Sequence, residues 1–335
     1  MNISHLYIPI ELIQYIFDFL DFEDQISFKL TCKDYSQLRI YDLYNIPQKY
    51  KDKLNDDIIK NYPFLKYLNA KDNNKIKNVS FMINLKILDA SGCREINDQG
   101  IENLNLYKLN ASYNPKITNV SHMNNLQILD ASGYFCGIND QSIKNLNLIQ
   151  LNANNNYKIK NVSHMTNLQI LDASYECGIN DQDIENLNLY KLNAKENSKI
   201  TNVDYMTNLR ILDASYGCGI NDQSIKNLNL IQLNAYDNYK IININHMTNL
   251  RILDASYRCG INDQSIKNLN LIELDASYNH KITNVIHMTN LQILNARGNY
   301  RICELLILNA RGNYEFENNG IKNLKLIKLI SDENS

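Results

Sequence analysis

The sequence predicts an α/β solenoid preceded by a small module of three helices. In the solenoid, short parallel strands form one curved sheet and short helical or 3₁₀ segments return the chain. Three observations predict this: a double repeat along most of the chain, a six-residue strand pattern within each repeat, and an N-terminal segment that has neither. The 335 residues, 44% of them hydrophobic, suffice for an extended array.

The repeat has a double period. One unit, written ILDAS or ILNAR, recurs every 41 or 42 residues, and a second unit, LNLIQLNA and its variants, lies between its copies. The leading leucines of the first unit are Leu85, Leu126, Leu168, Leu209, Leu250 and Leu291. Those of the second are Leu65, Leu106, Leu148, Leu189, Leu230 and Leu271, and further units begin at Leu305 and Leu326. Such a period predicts stacked coils.

Each half-unit reads L-x-x-L-[DN]-A, which predicts one short strand. Successive side chains of a strand point to opposite faces, so the fourth and sixth positions face one way and the third and fifth the other. One type of half-unit continues with GINDQSIKNL, in which Asn221 or Asp222 can cap a helical turn. In the other type, Ile159, Val162 and Met165 recur three apart and predict a 3₁₀ or irregular turn.

A strand and a short return at this period form the leucine-rich-repeat pattern. The half that reads C-G-I-N-D-x-x-I-x-x-L resembles the cysteine-containing subclass of these repeats. Cys93 has the register of that subclass, whereas Cys177, Cys218 and Cys259 come one residue late. No single unit can bury its own apolar face, so stacking of the coils makes the core, with the strands on the concave side.

The chain divides into three parts. Residues 1–46 are assigned to the helical module and residues 65–335 to the leucine-rich repeats. Residues 47–64 form a linker and a capping half-repeat, because Asn55 and Asp56 repeat the N-D pair of the other half-units. We therefore expect the helical module to be joined rigidly to the array.

One place breaks the period. The sequence ILNARGNY begins at Ile293 and again at Ile307, only 14 residues later. A strand, two turns and a full return hardly fit into that length, so we expect a shortened or irregular return near residues 295–310.

The first forty residues predict three short helices. Pro9 stands at the start of the first, where its missing N–H does no harm, and apolar residues follow at helical spacing to Leu20. Asp21 can cap the second helix, and Thr31 and Asp34 form a T-x-x-D capping box for the third. The first helix carries more apolar surface than so small a module can cover. We therefore expect it to bind a partner or to pack on the array.

The same segment resembles an F-box. The resemblance rests on Ile8, Pro9, Glu11, Leu12, Ile13, Ile16, Phe17, Leu20, Asp24, Ile26, Phe28, Thr31, Cys32, Lys33, Asp34 and Tyr35. The departures from the family pattern are Ile8 for Leu, Thr31 for Val and Tyr35 for Trp. An F-box followed by cysteine-containing repeats is the layout of F-box/LRR proteins, and the near-identical Asn-rich units look especially like those of giant DNA viruses of amoebae.

The resemblance implies a partner for the first helix. In the family, the F-box binds Skp1 and thereby a cullin–RING ubiquitin ligase, and the repeats bind the substrate. The residues of this chain that would meet Skp1, as a helix face in a groove, are Ile8, Pro9, Ile13, Ile16, Phe17 and Leu20. The alternative is that this stripe forms the core of the module itself or its contact with the first repeat.

No catalytic, metal or cofactor site is predicted. Matching positions on successive double units are two strand spacings apart, about 9–10 Å, whereas zinc ligands lie about 2.0–2.3 Å from the ion. The residues in question are His122, His164, His246 and His287. The same spacing excludes disulfides between the repeat cysteines, so we expect buried structural thiols. Asn and Asp alternate at the fifth strand position, on an open surface without a nearby nucleophile.

The remaining candidate site is a recognition surface. The predicted target-binding residues, on the concave face and its rim, are Ile128, Ile170, Ile211, Ile252, Tyr175, Tyr216, Tyr257 and Tyr278. Exposed Ile and Tyr suit protein binding, because aromatic anchors often dominate interface energies. The alternative is a solvated face with incidental apolar residues.

The composition argues against other partners. The net charge is −2, with 34 basic and 36 acidic residues, so nothing directs the chain to nucleic acid or an anionic membrane. No apolar run approaches the roughly 20 residues of a membrane span. The N-terminus lacks the basic region of a signal peptide, and seven cysteines without a C-x-x-C pair fit a reducing compartment. We expect a cytoplasmic or nuclear location, in the host cell if the chain is viral, and a monomer outside its complex.

Two functional hypotheses follow. The first is a non-catalytic substrate-recognition subunit of an SCF-type E3 ubiquitin ligase, in which the F-box binds Skp1 and the array binds a protein target. If viral, such a subunit would redirect a host ligase. The alternative is an interaction or structural protein whose helices pack on its own repeats and never bind Skp1. An enzyme finds no supporting site in the sequence.

Overall fold

The structure is a leucine-rich-repeat solenoid with a small helical module at its N-terminal end, as the sequence predicts. The computed structural model describes residues 9–302, 326 and 328–330. It divides into two compact units, Met1–Leu148 and Ile149–Ser335. Within each unit, the strands pair in parallel and in the order of the sequence.

The first unit contains the helical module and the first coils. Its helices are α1 (Ile10–Phe17), α2 (Phe22–Thr31), a 3₁₀ helix (Lys33–Gln37), α3 (Gln48–Lys51), α4 (Asp56–Ile59), α5 (Asp98–Ile101) and α6 (Asp140–Ile143). Its strands are β1 (Asp42–Leu43), β2 (Tyr67–Asn69), β3 (Ile87–Asp89), β4 (Lys108–Asn110) and β5 (Ile128–Asp130). The strand β1 pairs with β2, so the sheet begins within the segment assigned to the helical module.

The second unit contains the remaining described coils. Its helices are α7 (Asp181–Ile184), α8 (Asp222–Ile225) and α9 (Asp263–Ile266). Its strands are β6 (Gln150–Asn152), β7 (Ile170–Asp172), β8 (Lys191–Asn193), β9 (Ile211–Asp213), β10 (Gln232–Asn234), β11 (Ile252–Asp254), β12 (Glu273–Asp275), β13 (Ile293–Asn295) and β14 (Lys328–Ile330). The strand β13 pairs with β14. Most of the irregular return predicted near 295–310 lies outside the described residues.

The alternating strand pattern sorts side chains between the core and the concave face. In β9, Leu212 is 1% exposed and the following Ala214 is 0% exposed, whereas Ile211 and Asp213 are half-buried. The same alternation holds along β2, β4 to β8 and β10 to β13, whereas Asp89 of β3 is buried and Leu329 of β14 is exposed. The third and fifth positions therefore form the open face of the sheet, as predicted.

The short helices are capped by Asn, and the Asp that follows accepts hydrogen bonds from the backbone of the next coil. Asn221 begins α8, and its side chain accepts hydrogen bonds from the Gln223 and Ser224 backbone N–H groups. The Asp222 carboxylate accepts bonds of 2.7 and 2.9 Å from the backbone N–H groups of Ile242 and Asn243. The sequence left Asn and Asp as alternative caps, and the structure gives each its own role.

The other type of return is irregular, as predicted. Ile159, Val162 and Met165 are fully buried. Single i→i−3 hydrogen bonds join Met165 N–H to the Val162 carbonyl at 3.0 Å and Leu168 N–H to the Met165 carbonyl at 2.9 Å. Three-residue spacing thus buries one side of the return without a continuous helix.

A row of buried asparagines, which the sequence analysis did not identify, satisfies backbone groups inside the solenoid. The Asn238 side chain donates to the carbonyls of Ala214 at 2.7 Å and Ile220 at 3.2 Å, and it accepts from the Lys240 backbone N–H. The members of this row are Asn114, Asn156, Asn197, Asn238, Asn279 and Asn299, each at most 1% exposed. Asn114, Asn197, Asn238, Asn279 and Asn299 each join one coil to the preceding one, where a buried carbonyl would otherwise lack a donor.

The helical module has its own aromatic core. The Phe17 side chain is 0% exposed, and its ring lies 6.1 Å from that of Phe28, which stacks on Tyr35 at 4.8 Å. Tyr35, the aromatic residue that replaces Trp in the family pattern, is half-buried and packs against Phe28. Asp21 caps α2 by accepting from Asp24 N–H at 2.9 Å, as predicted.

The predicted capping box of the third helix is wrong. Cys32 occupies the N-cap of the 3₁₀ helix without a side-chain capping bond. The Thr31 hydroxyl donates instead to the Phe28 carbonyl one turn back, at 2.7 Å. Threonine often bonds within the preceding turn, and here that bond removes it from the capping role.

Three contacts hold α1, α2 and the segment after them against the start of the array within the first unit. The Gln14 side chain donates to the Arg39 carbonyl at 2.9 Å and accepts from the Arg39 N–H at 2.7 Å. The rings of Phe22, in α2, and Tyr50, in α3, meet edge to face at 5.1 Å. The Arg39 guanidinium lies 3.9 Å from the centre of the Phe64 ring. The helices are therefore tied to the first coils by polar and aromatic contacts.

Candidate functional site

One face of α1 and the turn after it is exposed and apolar. Leu12, Tyr15, Ile16 and Phe19 are 53%, 64%, 51% and 75% exposed, and we call these four residues the α1 face. The rings of Tyr15 and Phe19 meet edge to face at 5.1 Å. Large apolar side chains so exposed and so close together are uncommon on a soluble surface and typically mark an interaction site.

The α1 face is exposed because other residues fix the rotation of the helix. Gln14 is held by the Arg39 backbone on one side, and Phe17 is buried in the module. On a helix, residues three and four apart share a face. Leu12, Tyr15 and Phe19 are spaced in this way, so burial of Phe17 leaves their side of the helix free.

The structure places the six residues predicted to contact an adaptor in different environments. Pro9 is exposed and Ile16 is 51% exposed, whereas Ile13 and Leu20 are half-buried. Ile8 lies outside the described residues. Phe17 is corrected: its side chain has no exposed surface and belongs to the core, so it cannot contact an adaptor directly. Apolar spacing alone does not distinguish a helix's own core from a partner surface.

The sequence analysis missed most of the α1 face. It recorded Leu12 in the motif without assigning it to binding, and it passed over Tyr15 and Phe19. Leu30, 81% exposed at the end of α2, was also missed. A signal was available, because Leu12, Tyr15 and Phe19 form a second apolar stripe at helical spacing.

The predicted isoleucines lie on the concave positions of the strands. Ile128 lies in the first unit, and Ile170, Ile211 and Ile252 lie in the second. All four are half-buried. Each offers part of an apolar side chain between polar neighbours, which suits a contact surface more than a core.

Three of the four predicted rim tyrosines, Tyr216, Tyr257 and Tyr278, belong to a stack of rings in the second unit. Ring centroids are 4.8 Å apart for Tyr216 and Tyr236, 4.6 Å for Tyr236 and Tyr257, and 5.0 Å for Tyr257 and Tyr278. We call these four residues the tyrosine ladder. The distances match the spacing of neighbouring strands, so the coil itself stacks the rings. Aromatic pairs of this kind contribute about 0.5–1.5 kcal/mol each.

The ladder continues into a cation–π contact. The Lys195 ammonium lies 4.6 Å from the centre of the Tyr216 ring and 5.2 Å from that of Tyr175. A hydrogen bond with Tyr175 raises the pKa of Lys195. Burial, followed by hydrogen bonds with Tyr216 and Tyr257, raises the pKa of Tyr236. The predicted Tyr175 thus joins the rim through a lysine.

Backbone conformation explains which rim residues the sequence identified. Tyr175, Tyr216, Tyr257 and Tyr278 have φ values of 55–59°, in the left-handed region. Tyr236 precedes the left-handed residue of its own coil, Asp237. Tyr236 directly follows the Ala of its strand, as Lys195 does in an earlier coil. The sequence analysis missed both residues. The sequence analysis identified the other tyrosines because each lies two residues after the Ala of its strand.

Asp and Asn pair across the concave face at the fifth strand position. The Asn side chain donates to the Asp of the preceding strand, at 2.9 Å for Asn193 to Asp172 and 3.1 Å for Asn234 to Asp213. The other oxygen of Asp213 accepts from the Ser215 N–H and hydroxyl. The alternation therefore supplies Asp172 and Asp213 with an amide donor as well as separating the charges.

Burial governs the chemistry of the repeat cysteines. The thiols of Cys177, Cys218 and Cys259 are fully buried. Burial raises the pKa of Cys177 and Cys259 to about 12 and that of Cys218 to about 11. The Cys218 thiol donates to the Ala214 carbonyl at 3.0 Å. These protonated thiols pack as small apolar groups, as predicted.

The aligned histidines are on the surface. His122, His164, His246 and His287 are exposed. The Nε2 atoms of His246 and His287 lie 3.2 and 3.0 Å from carbonyls of the preceding coil. Within the described ranges, no three His, Cys, Asp or Glu side chains are grouped so that they could hold a metal ion. None of the helices in the same ranges is long and apolar enough to cross a membrane.

An open groove of about 630 Å³ in the second unit lies at the amino ends of the strands, away from the ladder. Its lining includes Thr166, Asn167, Gln169, Asn188, Tyr190, Asn208 and Arg210. The Asn188 side chain accepts from the Asn208 backbone N–H at 3.1 Å, and the Arg210 guanidinium donates to the carbonyls of Thr207 and Leu209. Asn188 thus joins two coils and Arg210 bonds within its own coil, so we assign the groove no ligand.

These features define a leucine-rich-repeat protein with an exposed apolar helix at its N-terminal end. Residues 6–38 match the F-box domain. The chain therefore combines an F-box segment with a leucine-rich-repeat array. No curated protein matches it.

Several solved structures have a similar shape. An internalin, InlF, from Listeria monocytogenes is 20% identical, covers 72% of this chain and 76% of its own, and has a TM-score of 0.49. The functional domain of InlJ from Listeria monocytogenes, which includes a cysteine ladder, is 20% identical, covers 72% of this chain and 55% of its own, and has a TM-score of 0.49. A chain of the Rad7 and Elc1 complex of yeast is 18% identical, covers 86% of this chain and 82% of its own, and has a TM-score of 0.43. At these identities and TM-scores, none of these proteins' functions extends to this chain.

Proposed function

We propose that this chain is a substrate-recognition subunit of an SCF-type E3 ubiquitin ligase, in which the F-box segment binds a Skp1-like adaptor and the array binds a protein target. The observation that carries the proposal is the α1 face. It lies within the residues that match the F-box, and its four large apolar side chains are 51–75% exposed. A helix with a free apolar face suits docking in the groove of a partner.

The same observation argues against the alternative hypothesis, that the helices only pack on the repeats. Packing within the first unit uses Gln14, Phe17 and Phe22. It leaves Tyr15 and Phe19 uncovered. A module that served only as a cap for the array would gain stability from burying these rings, since an aromatic side chain contributes about 1.5–3 kcal/mol on full burial.

The array supports target binding through its shape and surface. Half-buried isoleucines and the tyrosine ladder offer apolar and aromatic contacts beside carboxylates. Such a surface fits a non-catalytic role in a cytoplasmic or nuclear complex, where the ligase partners supply the chemistry. We further propose that, if the chain is viral, the adaptor it binds is that of the host cell.

Co-purification with a Skp1-like adaptor tests the proposal. The full chain and the adaptor are co-expressed, and the complex is isolated through a tag on the adaptor. We expect a stoichiometric complex with the wild-type chain and its loss after Pro9→Ala and Ile16→Asp. A chain that remains bound after both substitutions, or that never binds, would refute the assignment.

A further inference from the structure

Asp254, on the concave face, lacks the amide donor that Asp172, Asp213 and Asp275 have. Asp172, Asp213 and Asp275 each accept a bond from the Asn of the following strand, the last at 2.7 Å from Asn295. Asp254 is followed by Asp275 instead of an Asn. One Asp254 oxygen accepts from the N–H and hydroxyl of Ser256. The second oxygen of Asp254 therefore lacks the partner that an Asn supplies in these three pairs.

At their third and fifth positions, the strands around Asp254 present negative charge only. The third and fifth positions of β9 to β12 carry Asp213, Asp254, Glu273 and Asp275, and no basic residue occupies any of these positions. Burial raises the pKa of Asp254, and the carboxylates of Asp275 and Asp213 raise it further. Like charges held on neighbouring strands repel one another, so a cation placed between them would be stabilised.

Aromatic rings border the same strands. Tyr257 and Tyr278 follow β11 and β12 and remain 43% and 44% exposed, although they stack on each other. Elsewhere on the same rim, Lys195 of this chain lies against the rings of Tyr175 and Tyr216. The rim geometry therefore already holds one ammonium cation against tyrosine faces, an arrangement worth about 0.5–1 kcal/mol at an exposed site.

We infer that the surface formed by Asp254, Glu273, Asp275, Tyr257 and Tyr278 binds an arginine or lysine side chain on an extended segment of the target polypeptide. We call these five residues the acidic–aromatic patch. The inference rests on the proposed target-binding role of the array and specifies the chemistry of the target.

Charge complementarity selects this occupant. A guanidinium can donate to the second oxygen of Asp254 and to Asp275 together, in the geometry that carboxylates favour. The half-buried Ile252 offers an apolar surface for the side-chain stem. A neutral apolar segment would desolvate the carboxylates without replacing their hydrogen bonds, and an acidic segment would be repelled.

Peptide binding to the full chain tests the inference. The probe is a fluorescein-labelled peptide with three arginines separated by Gly-Ser pairs, and its control is the same peptide with citrulline at each arginine. Fluorescence anisotropy at low ionic strength gives the dissociation constant. The patch variant is Asp254→Asn with Asp275→Asn. The matched control is Asp130→Asn with Asp172→Asn, which changes the net charge equally at the same strand position of the same sheet, away from β9 to β12.

We expect the arginine peptide to bind and the citrulline peptide not to bind. The patch variant should weaken binding about tenfold, while the matched control changes it by less than about twofold. Equal weakening in both variants would show non-specific attraction and overturn the inference, as would equal affinity for both peptides or no binding of either. Circular dichroism confirms that both variants are folded.

The adaptor experiment separates failure of this inference from failure of the proposed function. The patch variant should co-purify with the Skp1-like adaptor as the wild-type chain does. If peptide binding fails while the adaptor still binds, the patch is wrong and the ligase role stands. If the adaptor never binds while the patch binds arginine, the ligase role is wrong.

Discussion

Asp254 lies directly beside Asp275 in the pairing of β11 with β12, the one described strand pair that places two carboxylates at the fifth position. From β6 to β11, Asp and Asn alternate at this position from strand to strand. The interruption has consequences for stability as well as for binding, because Asp254 is held partly buried beside a like charge.

We predict that Asp254→Asn stabilises the protein at neutral pH. The folded pKa of Asp254 is raised by burial and by Asp275, so the folded chain binds this proton more tightly than the unfolded chain does. The contribution of Asp254 to stability is fully present below the unfolded pKa of about 3.9 and is lost as the pH rises through the folded pKa. Urea denaturation at pH 7 should show a gain of about 0.5–1 kcal/mol for the variant, the range of a partly screened charge pair.

The matched control for this prediction is Asp213→Asn. Asp213 accepts a bond from Asn234 at 3.1 Å, so its substitution removes a charge-assisted hydrogen bond and should destabilise the fold by about 1 kcal/mol. The gain from Asp254→Asn should shrink as the pH approaches 4. A loss of stability in both variants at pH 7 would contradict the account of Asp254.

Gly219 is predicted to be required by a close approach of two coils. A Cβ there would lie 2.5 Å from the Ile200 carbonyl oxygen and 2.7 Å from that of Ser198, both of them backbone atoms. Gly219→Ala should therefore lower the free energy of unfolding by about 1–3 kcal/mol. Gly217 provides the control, because a Cβ added there would have no atom within 4 Å. Equal effects of Gly219→Ala and Gly217→Ala in urea denaturation would refute the packing argument.

The buried asparagines are predicted to stabilise the packing of one coil on the next through their hydrogen bonds. Asn238→Ala removes the donor for the Ala214 and Ile220 carbonyls, which lie in the core. A buried polar group left without a partner costs about 1–3 kcal/mol, so Asn238→Ala should lower the free energy of unfolding measured by urea denaturation by about that amount. Asn227→Ala, at an exposed asparagine of the same array, should lower the free energy of unfolding by less than about 0.5 kcal/mol.

The repeat thiols are predicted to be unreactive while the protein is folded. Burial raises the pKa of Cys177 and Cys259 to about 12, so at pH 8 they are protonated and also inaccessible. In a Cys32→Ser, Cys303→Ser background, a thiol reagent should label the native chain slowly and the urea-unfolded chain rapidly. Rapid labelling of the native chain would contradict the assignment of these cysteines to the core.

Local rules predicted the frame of the protein well. The L-x-x-L-[DN]-A pattern located the strands, because burial of Leu212 and Ala214 follows directly from alternation. Caps such as Asp21 and Asn221 were identified because capping depends on a few neighbouring residues. Stacking of near-identical units then fixes the parallel pairing.

Features that depend on contacts between coils were harder to predict. Asn238 recurs three residues after Ala, yet its role becomes visible only when the preceding coil lies beneath it. Tyr236 joins the ladder from a different position in its coil, so the register of the other tyrosines could not reveal it. The assignment of Phe17 to the surface failed because helical spacing does not say which apolar side is covered.

The affinity of the full chain for a purified Skp1-like adaptor tests the central claim most directly. Isothermal titration would compare the wild-type chain with Ile16→Asp, on the α1 face, and with Ile83→Asp, which places the same charge at a 70% exposed isoleucine of the array. We expect Ile16→Asp to weaken binding at least about a hundredfold, in the range of an interface hot spot, and Ile83→Asp to change it by less than about twofold. Equal affinities for all three chains, or no binding by the wild type, would contradict the claim that α1 is kept free for an adaptor.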